Sequence, residues 1–595
     1  MNENNNFLFA IVLSLAVLIG WQYFVIGPKE AAQREALALQ SANEQPLTLS
    51  SDDPLALTPT NTPRLDEAPL AAKTIALKEA PRVPIMSDQF KGSIALLGAR
   101  FDDIALTQYP TSLDANAPAV TLLRPATERK NWQAQFGWQA LPGAELDLPN
   151  EQSLWRLTKG TTLTPESPIT LEYESKSGLI FTREISVDHD FMFTINDSVQ
   201  NTSSSSVTLF PYGQITRTGR PQTSQLFVLH EGPIGWLGED GLQELSYSDL
   251  LDDGPTKITS RGGWLGFTDK YWATAIIPPQ DATVNARFVA RGAAQVEDEV
   301  YKSDYLLDGQ TIGAGQSANV ASQFFAGAKV VDVIDGYADQ GVHRFDLLID
   351  WGWFYFLTKP MFAALQFFYL LLGNYGLSIL LVTIIIKIIF FPLASKSYVT
   401  MAKMKRVQPE MTKIREVYKD DRQAQQQALM KLYKDEKLNP LAGCLPVLLQ
   451  IPVFFALYKV LFVTLDMRHQ PFFGWIQDLA APDPTSIFNL FGLIPWDPPS
   501  LLMLGIWPLL MGITMFIQMQ LNPPPPDPVQ AMIFKYMPIF FTFLLAGFPS
   551  GLVIYWAWNN FLSILQQSYI MHKNGAEIEL LNNIGFRKKQ PEETK

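Results

Sequence analysis

Residues 351–391 read WGWFYFLTKPMFAALQFFYLLLGNYGLSILLVTIIIKIIFF, and this stretch decides the fold class. Only two of its 41 residues, Lys359 and Lys387, are charged. A single helix of this length would measure about 61 Å, twice the hydrocarbon core of a bilayer. We therefore predict two elements that divide at Gly373–Gly376. The first is an aromatic-rich helix at 351–372 that lies in the membrane interface, and the second is a spanning helix at 377–394.

Five more apolar stretches have the length of a membrane span, about 20 residues. Four of them follow the first stretch, at 441–465, 501–521, 530–548 and 551–570. The fifth, residues 7–26, is too long for the apolar region of a cleaved signal peptide, which covers about 7 to 15 residues. The sequence predicts a multi-pass α-helical membrane protein with an N-terminal anchor (1–27) and a five-helix core (341–595).

Charge is distributed unevenly along the 595 residues. Residues 27–343 contain 24 Lys and Arg against 40 Asp and Glu, a net charge of −16, whereas the whole chain carries −12. This acidity excludes a general nucleic-acid binder, because phosphate contacts need a basic surface. The single cysteine, Cys444, excludes an internal disulfide framework.

Charge in the short loops predicts the orientation in the membrane. Residues 393–440 contain 11 Lys and Arg against 6 Asp and Glu, whereas residues 466–500 contain one Arg and four Asp. The first loop should therefore be cytoplasmic and the second periplasmic. Counting spans places both termini, including a short basic C-terminal tail, in the cytoplasm and residues 28–350 in the periplasm of an inner-membrane protein.

The block between the anchor and the core has two parts. Residues 28–84 are rich in Ala, Pro, Ser and Thr without periodicity, which indicates a disordered tether. Residues 85–340 contain short stretches that alternate apolar and polar side chains, such as 179–186, and they predict a large all-β sandwich. The acids that flank His189 favour a surface turn over a site.

Common catalytic motifs are missing from the sequence, which contains no GxxxxGK[ST], HExxH or GxSxG. Ser550 lies between two predicted spans, but the nearest histidine in sequence, His572, is at the far end of the last helix, about 30 Å away. We therefore expect no enzymatic activity, no cofactor and no metal.

Lys387 lies within a predicted span, about 10 Å below the cytoplasmic surface. A charge at this depth indicates a functional site, although a lysine can also extend its ammonium group to the headgroups. Thr383 lies four residues away on the same helical face, and the other spans contribute Gln450, Asn559 and Asn560. These residues predict a hydrophilic groove that opens to the cytoplasm, although interhelical hydrogen bonding would also explain the amides.

The cytoplasmic loop at 394–440 is predicted to be a helical hairpin that turns at 419–421. Its methionines and basic residues suggest a docking arm for nascent chains or ribosomal RNA, although a solvated hairpin would look the same. The candidate docking residues are Lys403, Lys405, Arg406, Lys413 and Arg415.

Three segments carry a family resemblance: NPLAGCLPVLLQIPVFFALY at 439–458, FPSGLVIYW at 548–556, and Asn560 with Gln566 and Gln567. They resemble the YidC membrane protein insertases, of the Gram-negative type with a large periplasmic domain. The resemblance implies insertion and folding of nascent inner-membrane proteins without ATP, alone or with the Sec translocon. It also implies contact with the ribosome or the signal recognition machinery through the hairpin and the tail.

The resemblance assigns residues to a substrate groove. It implies that Lys387 occupies the position of the family's groove cation, usually Arg, and that Thr383, Gln450, Asn559 and Asn560 line the groove. Trp556 stands where a substrate-contacting Tyr is expected, and Lys cannot form the bidentate contacts of Arg. A transporter or channel that uses the same polar groove is the competing class, but the sequence shows no paired repeats of broken helices.

Overall fold

The computed structural model describes residues 80–125, 127–221, 229–352, 354–419, 421–436, 445–496, 498–499, 502–522 and 528–574. The expected N-terminal anchor, most of the expected tether, Cys444 and the basic tail lie outside the described residues. The chain forms two compact units, which meet in the sequence at Asp350 and Trp351.

The first unit contains two antiparallel sheets, which confirms the predicted β-sandwich. One sheet has ten strands. They are β1 (Arg82–Met86), β2 (Phe90–Ala95), β3 (Arg100–Pro110), β4 (Ala119–Leu123), β5 (Trp132–Ala140), β10 (Val207–Thr218), β13 (Thr256–Arg261), β16 (Thr283–Arg291), β17 (Val300–Leu307) and β18 (Gln310–Ile312).

The second sheet has nine strands. They are β6 (Arg156–Lys159), β7 (Ile169–Glu174), β8 (Leu179–Val187), β9 (Met192–Asn201), β11 (Gly232–Trp236), β12 (Leu242–Glu244), β14 (Trp264–Thr268), β15 (Trp272–Ile277) and β19 (Ser317–Ala328). Strand β8 shows the period-two pattern that predicted it, because its residues alternate between buried and more exposed positions for its full length.

Aromatic side chains from both sheets form the core of the sandwich. Phe101 of β3 lies 5.3 Å from Phe193 of β9 and 5.4 Å from Phe324 of β19, measured between ring centroids. Phe136 of β5 lies 6.1 Å from Phe324. These edge-on and tilted contacts join the two sheets, as expected for rings that pack at 4.5–7 Å.

A buried ion pair lies in the same core. Arg183 of β8 donates two hydrogen bonds to Asp197 of β9, at 2.6 and 2.7 Å, and its side chain is 1% exposed. The same guanidinium donates to the carbonyl oxygen of Phe136, at 2.7 Å, and to that of Ala99, at 3.4 Å. Arg183 therefore links a strand of the nine-stranded sheet to the backbone of the ten-stranded sheet.

Two α-helices complete this unit: α1 (Tyr247–Asp252) and α2 (Val331–Asp339). In α2, the Tyr337 hydroxyl donates to the Asp188 carboxylate at 2.6 Å, and burial raises the pKa of Tyr337. Asp188 also accepts from the backbone N–H groups of Asp190 and Met192, at 3.0 Å each. Asp188 thus stabilises a turn.

The first unit ends at Asp350, ten residues beyond the expected domain boundary at 340.

The second unit is helical. Its helices are α3 (Tyr355–Leu372), α4 (Tyr375–Ile389), α5 (Phe391–Arg406), α6 (Gln408–Val417), α7 (Arg422–Asp435), α8 (Leu445–Val463), α9 (Ile506–Leu521), α10 (Pro528–Leu545) and α11 (Ser550–Lys573). Gly373 ends α3 at a φ of +65°, and the Asn374 side chain caps α4 by accepting from the Leu377 N–H. Together they separate α3 from α4 within the long apolar run.

Two prolines change the helices expected after residue 377. The chain bends by 68° between α4 and α5, so the single helix expected over 377–394 is wrong at its C-terminal end. Pro392 lies in the first turn of α5 and cannot continue the hydrogen-bond ladder of α4. Pro409 similarly separates α5 from α6, so the first arm of the expected hairpin consists of two helices instead of one.

Length and composition single out α3 within the part of the chain that the structure describes. There, α3 is the one helix long and apolar enough to cross a membrane alone, and the bent pair α4–α5 meets the same criterion if it is counted together. Shorter apolar helical stretches lie at 450–463, 506–521 and 532–545. The helix expected to lie in the interface thus has the length and composition of a span.

Candidate functional site

Helix α11 carries a polar stripe. Tyr555, Asn559, Ser563 and Gln566 follow one another at intervals of four, four and three residues, so they lie on one face of the helix. Tyr555, Asn559 and Ser563 are buried, and Gln566 is half-buried. In a membrane-spanning helix, such a stripe needs partners or water, because lipid offers no hydrogen bonds.

Lys387 of α4 meets this stripe. Its ammonium group donates to the Ser563 hydroxyl oxygen at 2.6 Å, and that hydroxyl donates to the Asn559 carbonyl oxygen at 2.8 Å. The Lys387 side chain therefore points towards α11, and the residue is half-buried. A second contact joins the same two helices, because the Trp558 indole N–H donates to the Leu380 carbonyl oxygen at 3.2 Å.

A cavity opens beside Lys387 and contains about 450 Å³ of space, part of which is open to the surroundings. Four helices and the bend contribute its walls. The lining residues are Ile386 and Lys387 of α4, Phe390 at the bend, Ala394 and Tyr398 of α5, Gln450 and Val453 of α8, and Tyr555, Asn559 and Gln566 of α11. The bend therefore brings the start of α5 into the wall of the cavity.

Two lining amides carry unused donors. Among the described residues, the side-chain nitrogens of Asn559 and Gln566 have no hydrogen-bond partner. A buried donor without a partner costs roughly 1–3 kcal/mol. These groups can therefore stabilise water or the carbonyl and carboxylate oxygens of a ligand in the cavity.

The helices that surround the cavity contain no acidic residue. The sequence has no Asp or Glu at 375–406, 445–463, 506–521 or 528–573. Within the described part of the chain, Lys387 makes no ion pair, and its ammonium group bonds to a neutral hydroxyl. The site thus offers one positive charge and neutral donors to whatever enters.

The structure brings together only some of the expected groove residues. Lys387, Gln450 and Asn559 line the cavity, whereas Thr383 and Asn560 do not. Thr383 is buried, and its hydroxyl donates to the Ile379 carbonyl oxygen at 2.6 Å within its own helix. Asn560 is buried one position further along α11, about 100° around the helix from Asn559.

Trp556 also points away from the cavity. Its ring lies 4.7 Å from that of Phe454 and 5.8 Å from that of Phe541, measured between centroids. It packs against an apolar cluster that includes Met511 and Val553. Tyr555, the preceding residue, occupies the cavity wall instead.

The candidate docking residues lie on α5 and α6. Lys403, Arg406 and Lys413 are exposed, and Lys405 and Arg415 are half-buried. Arg406 donates to the Asn574 carbonyl oxygen at the end of α11. The hairpin itself is formed by α6 and α7, because the Gln425 side chain of α7 donates to the Arg415 carbonyl oxygen at 3.3 Å, and Asp421 caps α7.

Sequence reasoning missed Tyr398, Tyr555 and Ser563, whereas Gln566 was already among the residues that carry the family resemblance. For α11, the spacing of the polar residues was a usable signal. Asn559 and Ser563 lie four residues apart on one polar face, whereas the residue four positions before Asn560 is the apolar Trp556. No comparable signal identified Tyr398, because its position depends on the 68° bend. Within the described residues, no group of three His, Cys, Asp or Glu side chains could hold a metal ion.

For the insertion activity that the family resemblance implies, we expect Ser563→Ala to weaken insertion by about threefold to tenfold, because the ammonium group of Lys387 would lose its hydroxyl partner and its fixed position. Ser563→Thr, which keeps the hydroxyl, should retain most activity. The measurement is protease protection of a substrate tail at matched protein levels, with Ser568→Ala as the control on another face of α11. Equal insertion by Ser563→Ala and the unchanged protein would contradict a positioning role.

Both units match models of known protein families. Residues 82–364 match a family model described as the YidC periplasmic domain, and residues 367–577 match one described as the 60Kd inner membrane protein. Two relatives, from Methylobacterium radiotolerans and Mesorhizobium japonicum, are named membrane protein insertase YidC, and each is 51% identical. The matches cover 98% of this chain and 97% of the first relative, and 99% of this chain and 99% of the second.

A further relative from Sinorhizobium medicae has the same name and is 50% identical over 98% of both chains. A crystal structure of a YidC insertase covers 83% of this chain and 96% of its own, at 16% identity and a TM-score of 0.33. The assignment to a family therefore rests on the sequence matches.

Proposed function

This chain belongs to the YidC family of membrane protein insertases, and from that premise we propose that it inserts proteins through the cavity beside Lys387. It is an inner-membrane protein whose substrates are nascent membrane proteins. The cavity is the hydrophilic groove that receives the polar segment of a substrate. The observation that carries this proposal is that Lys387 has no counterion among the described residues.

Lys387 supplies the opposite charge that an acidic segment of the substrate would not find in hydrocarbon. Moving a carboxylate to the centre of a bilayer costs at least about 2.5–3.5 kcal/mol. Two opposite charges about 4 Å apart attract by about 4 kcal/mol at an effective dielectric constant near 20. The attraction and the penalty are of similar size, so one cation is sufficient to lower the barrier substantially.

The unused amide donors of Asn559 and Gln566 extend this effect to uncharged segments. Each donor can replace one hydrogen bond that a backbone carbonyl of the substrate loses when it leaves water. The hydrophobic segment of the substrate then moves sideways into lipid, driven by burial at about 25 cal/mol per Å². No bond is formed or broken, and no ATP is required.

Reconstitution tests this proposal directly. Purified protein in liposomes without nucleotide should insert a short single-span substrate with an acidic translocated tail, and the tail should become protected from external protease. Empty liposomes, with the same lipids and the same substrate, are the control. Equal protection in both samples, or insertion that appears only after ATP is added, would contradict the mechanism.

We also propose the orientation that the loop charges indicate, with both termini in the cytoplasm and residues 28–350 in the periplasm. In a Cys444→Ser background, Gln426→Cys and Ser248→Cys place single thiols at exposed positions of α7 and α1. A membrane-impermeant thiol reagent added to cells with a permeabilised outer membrane should label only Ser248→Cys. Labelling of Gln426→Cys before the inner membrane is disrupted would refute this orientation.

The exposed cations of α5 and α6 support a further proposal, that this segment docks ribosomal RNA or the signal recognition machinery. We expect Lys403→Glu combined with Lys413→Glu to reduce co-sedimentation with ribosomes about tenfold at moderate salt, because phosphate contacts depend on positive charge. The control changes Lys431 and Lys434 of α7 to Glu, an equal change of charge on the other arm. Equal losses in both variants would show that only net charge matters.

A partnership with the Sec translocon rests on the family resemblance.

A further inference from the structure

A second cavity lies at one end of the β-sandwich in the first unit. It contains about 770 Å³ of space, part of which is open to solvent. Strand β4, the start of β5, the end of β10 and the turn between β14 and β15 form its walls. The lining residues are 120–122, Arg124, 130–132, 217–221, Asp269 and Trp272.

Four basic side chains line this cavity, against one acidic side chain. Arg217 forms an ion pair with Asp269, through hydrogen bonds of 2.6 and 2.9 Å. Arg220 forms an ion pair with Glu299 at 3.2 Å. These two arginines are therefore neutralised by partners within the domain.

The other two basic side chains, Arg124 and Lys130, form no ion pair with any described residue. Arg124 is half-buried, and Lys130 is exposed at the rim. A partly desolvated guanidinium without a counterion is unfavourable, so its position in a cavity indicates an anionic ligand. Asn131 directly precedes β5 and contributes a neutral amide to the same wall.

Aromatic rings form the apolar part of the wall. Trp132 is buried beneath the Arg217 guanidinium, which lies 4.0 Å from the centroid of its ring. Trp272 is half-buried and lies 5.3 Å from the Tyr109 ring, so its own ring is held in place beside the cavity. A flat apolar surface next to free cations suits a ligand that carries both a compact uncharged part and an anionic group.

The acidic charge of the surrounding domain limits which anions can bind at Arg124 and Lys130. Because residues 80–350 contain 20 Lys and Arg against 34 Asp and Glu, a net charge of −14, the domain as a whole repels anions. A weakly held anion would therefore be excluded, and binding needs several direct hydrogen bonds at once. Phosphate offers three or more acceptor oxygens and bonds well to guanidinium and ammonium groups.

We propose that this cavity binds an organic phosphate, a phosphate ester whose anionic group contacts Arg124 and Lys130 and whose uncharged part lies against Trp272. Two sources share this chemistry, a soluble phosphate ester and the headgroup of an anionic phospholipid. The proposal does not depend on the insertion mechanism, since it concerns the other unit of the chain.

Calorimetric titration of the full-length protein in nanodiscs of zwitterionic lipid tests the proposal, with glycerol 1-phosphate as the probe. We expect saturable binding, weakened at least tenfold in the double variant Arg124→Gln, Lys130→Gln. The matched control, Arg156→Gln with Lys159→Gln, removes one exposed Arg and one exposed Lys from β6 and should bind as the unchanged protein does. Glycerol should give no heat of binding.

A second experiment identifies the source of the ligand. If the ligand is a lipid headgroup, nanodiscs that contain phosphatidylglycerol should raise the thermal midpoint of the unchanged protein but not of the double variant, and glycerol 1-phosphate should give no further rise. If the ligand is soluble, only the added phosphate ester should raise it. Absence of binding in both experiments, or equal binding by the double variant with an unchanged midpoint in zwitterionic discs, would overturn the proposal.

Discussion

Insertion of a substrate with an acidic translocated tail should fall at least tenfold when Lys387 is changed to Glu. The substitution replaces the single cation of the cavity with an anion, in a region whose helices contain no other acidic residue. Attraction becomes repulsion, and at an effective dielectric constant near 20 each is about 4 kcal/mol at 4 Å. Part of this difference is lost to water in the cavity, so tenfold is the lower limit we expect.

The other substitutions at this position should follow the charge. Lys387→Arg should retain activity, and Lys387→Ala should fall between Arg and Glu, because it removes attraction without adding repulsion. A lysine that only extends its ammonium group to the headgroups would give a different result, since Lys387→Leu would then be neutral or slightly stabilising.

The measurement is protease protection of the substrate tail in cells depleted of the native protein, at matched levels of each variant. Lys535→Glu is the control, because Lys535 is an exposed lysine of α10 outside the cavity. A substrate with a neutral tail should respond less to the charge series than the acidic one. Equal insertion by the Ala, Glu and unchanged proteins would refute the assignment of Lys387 as the groove cation.

The second large effect concerns the stability of the β-sandwich. We expect Asp197→Ala to lower the free energy of local unfolding by about 3–5 kcal/mol, because it leaves the Arg183 charge buried and unpaired. Arg183 would keep its bonds to the carbonyl oxygens of Phe136 and Ala99, which neutralise no charge. The double variant Arg183→Met, Asp197→Leu should cost much less, since it removes both charges and leaves an apolar pair in the core.

Hydrogen exchange in the full-length protein measures this effect, read by mass spectrometry on peptides from β8 and β9. Asp298→Ala is the control, since it removes an ion pair whose partners, Arg129 and Asp298, are 58% and 48% exposed. That pair should contribute less than about 1 kcal/mol. If Asp197→Ala exchanged no faster than Asp298→Ala, the buried pair would not stabilise β8 and β9.

Local patterns predicted the architecture well. The alternation in 179–186 became β8, and the sandwich is confirmed. The bend at Phe390 was missed because the apolar run continues unbroken to Phe391, so hydropathy alone gives no reason to end the helix there. Pro392 was the available signal, because its ring disfavours helical geometry at the preceding residue.

The candidate site was predicted only in part, because the sequence does not show how each helix is rotated about its axis. Lys387, Gln450 and Asn559 could be selected as polar groups within apolar stretches, without knowledge of how the helices rotate about their axes. Thr383 and Trp556 needed that knowledge, because one residue along a helix turns a side chain by about 100°. Rotation is set by packing between helices, such as the contact of Trp556 with Phe454, and a single sequence does not contain it.

The lack of acidic residues around Lys387 has a consequence for the topology of the proteins that this chain inserts. A substrate segment rich in lysine and arginine would meet an unshielded like charge at the cavity and would stay on the cytoplasmic side. An acidic or neutral segment would pass. The insertase would then impose part of the inside-positive bias of membrane proteins by itself, as a gate that sorts flanking segments by sign before the bilayer and the membrane potential act on them.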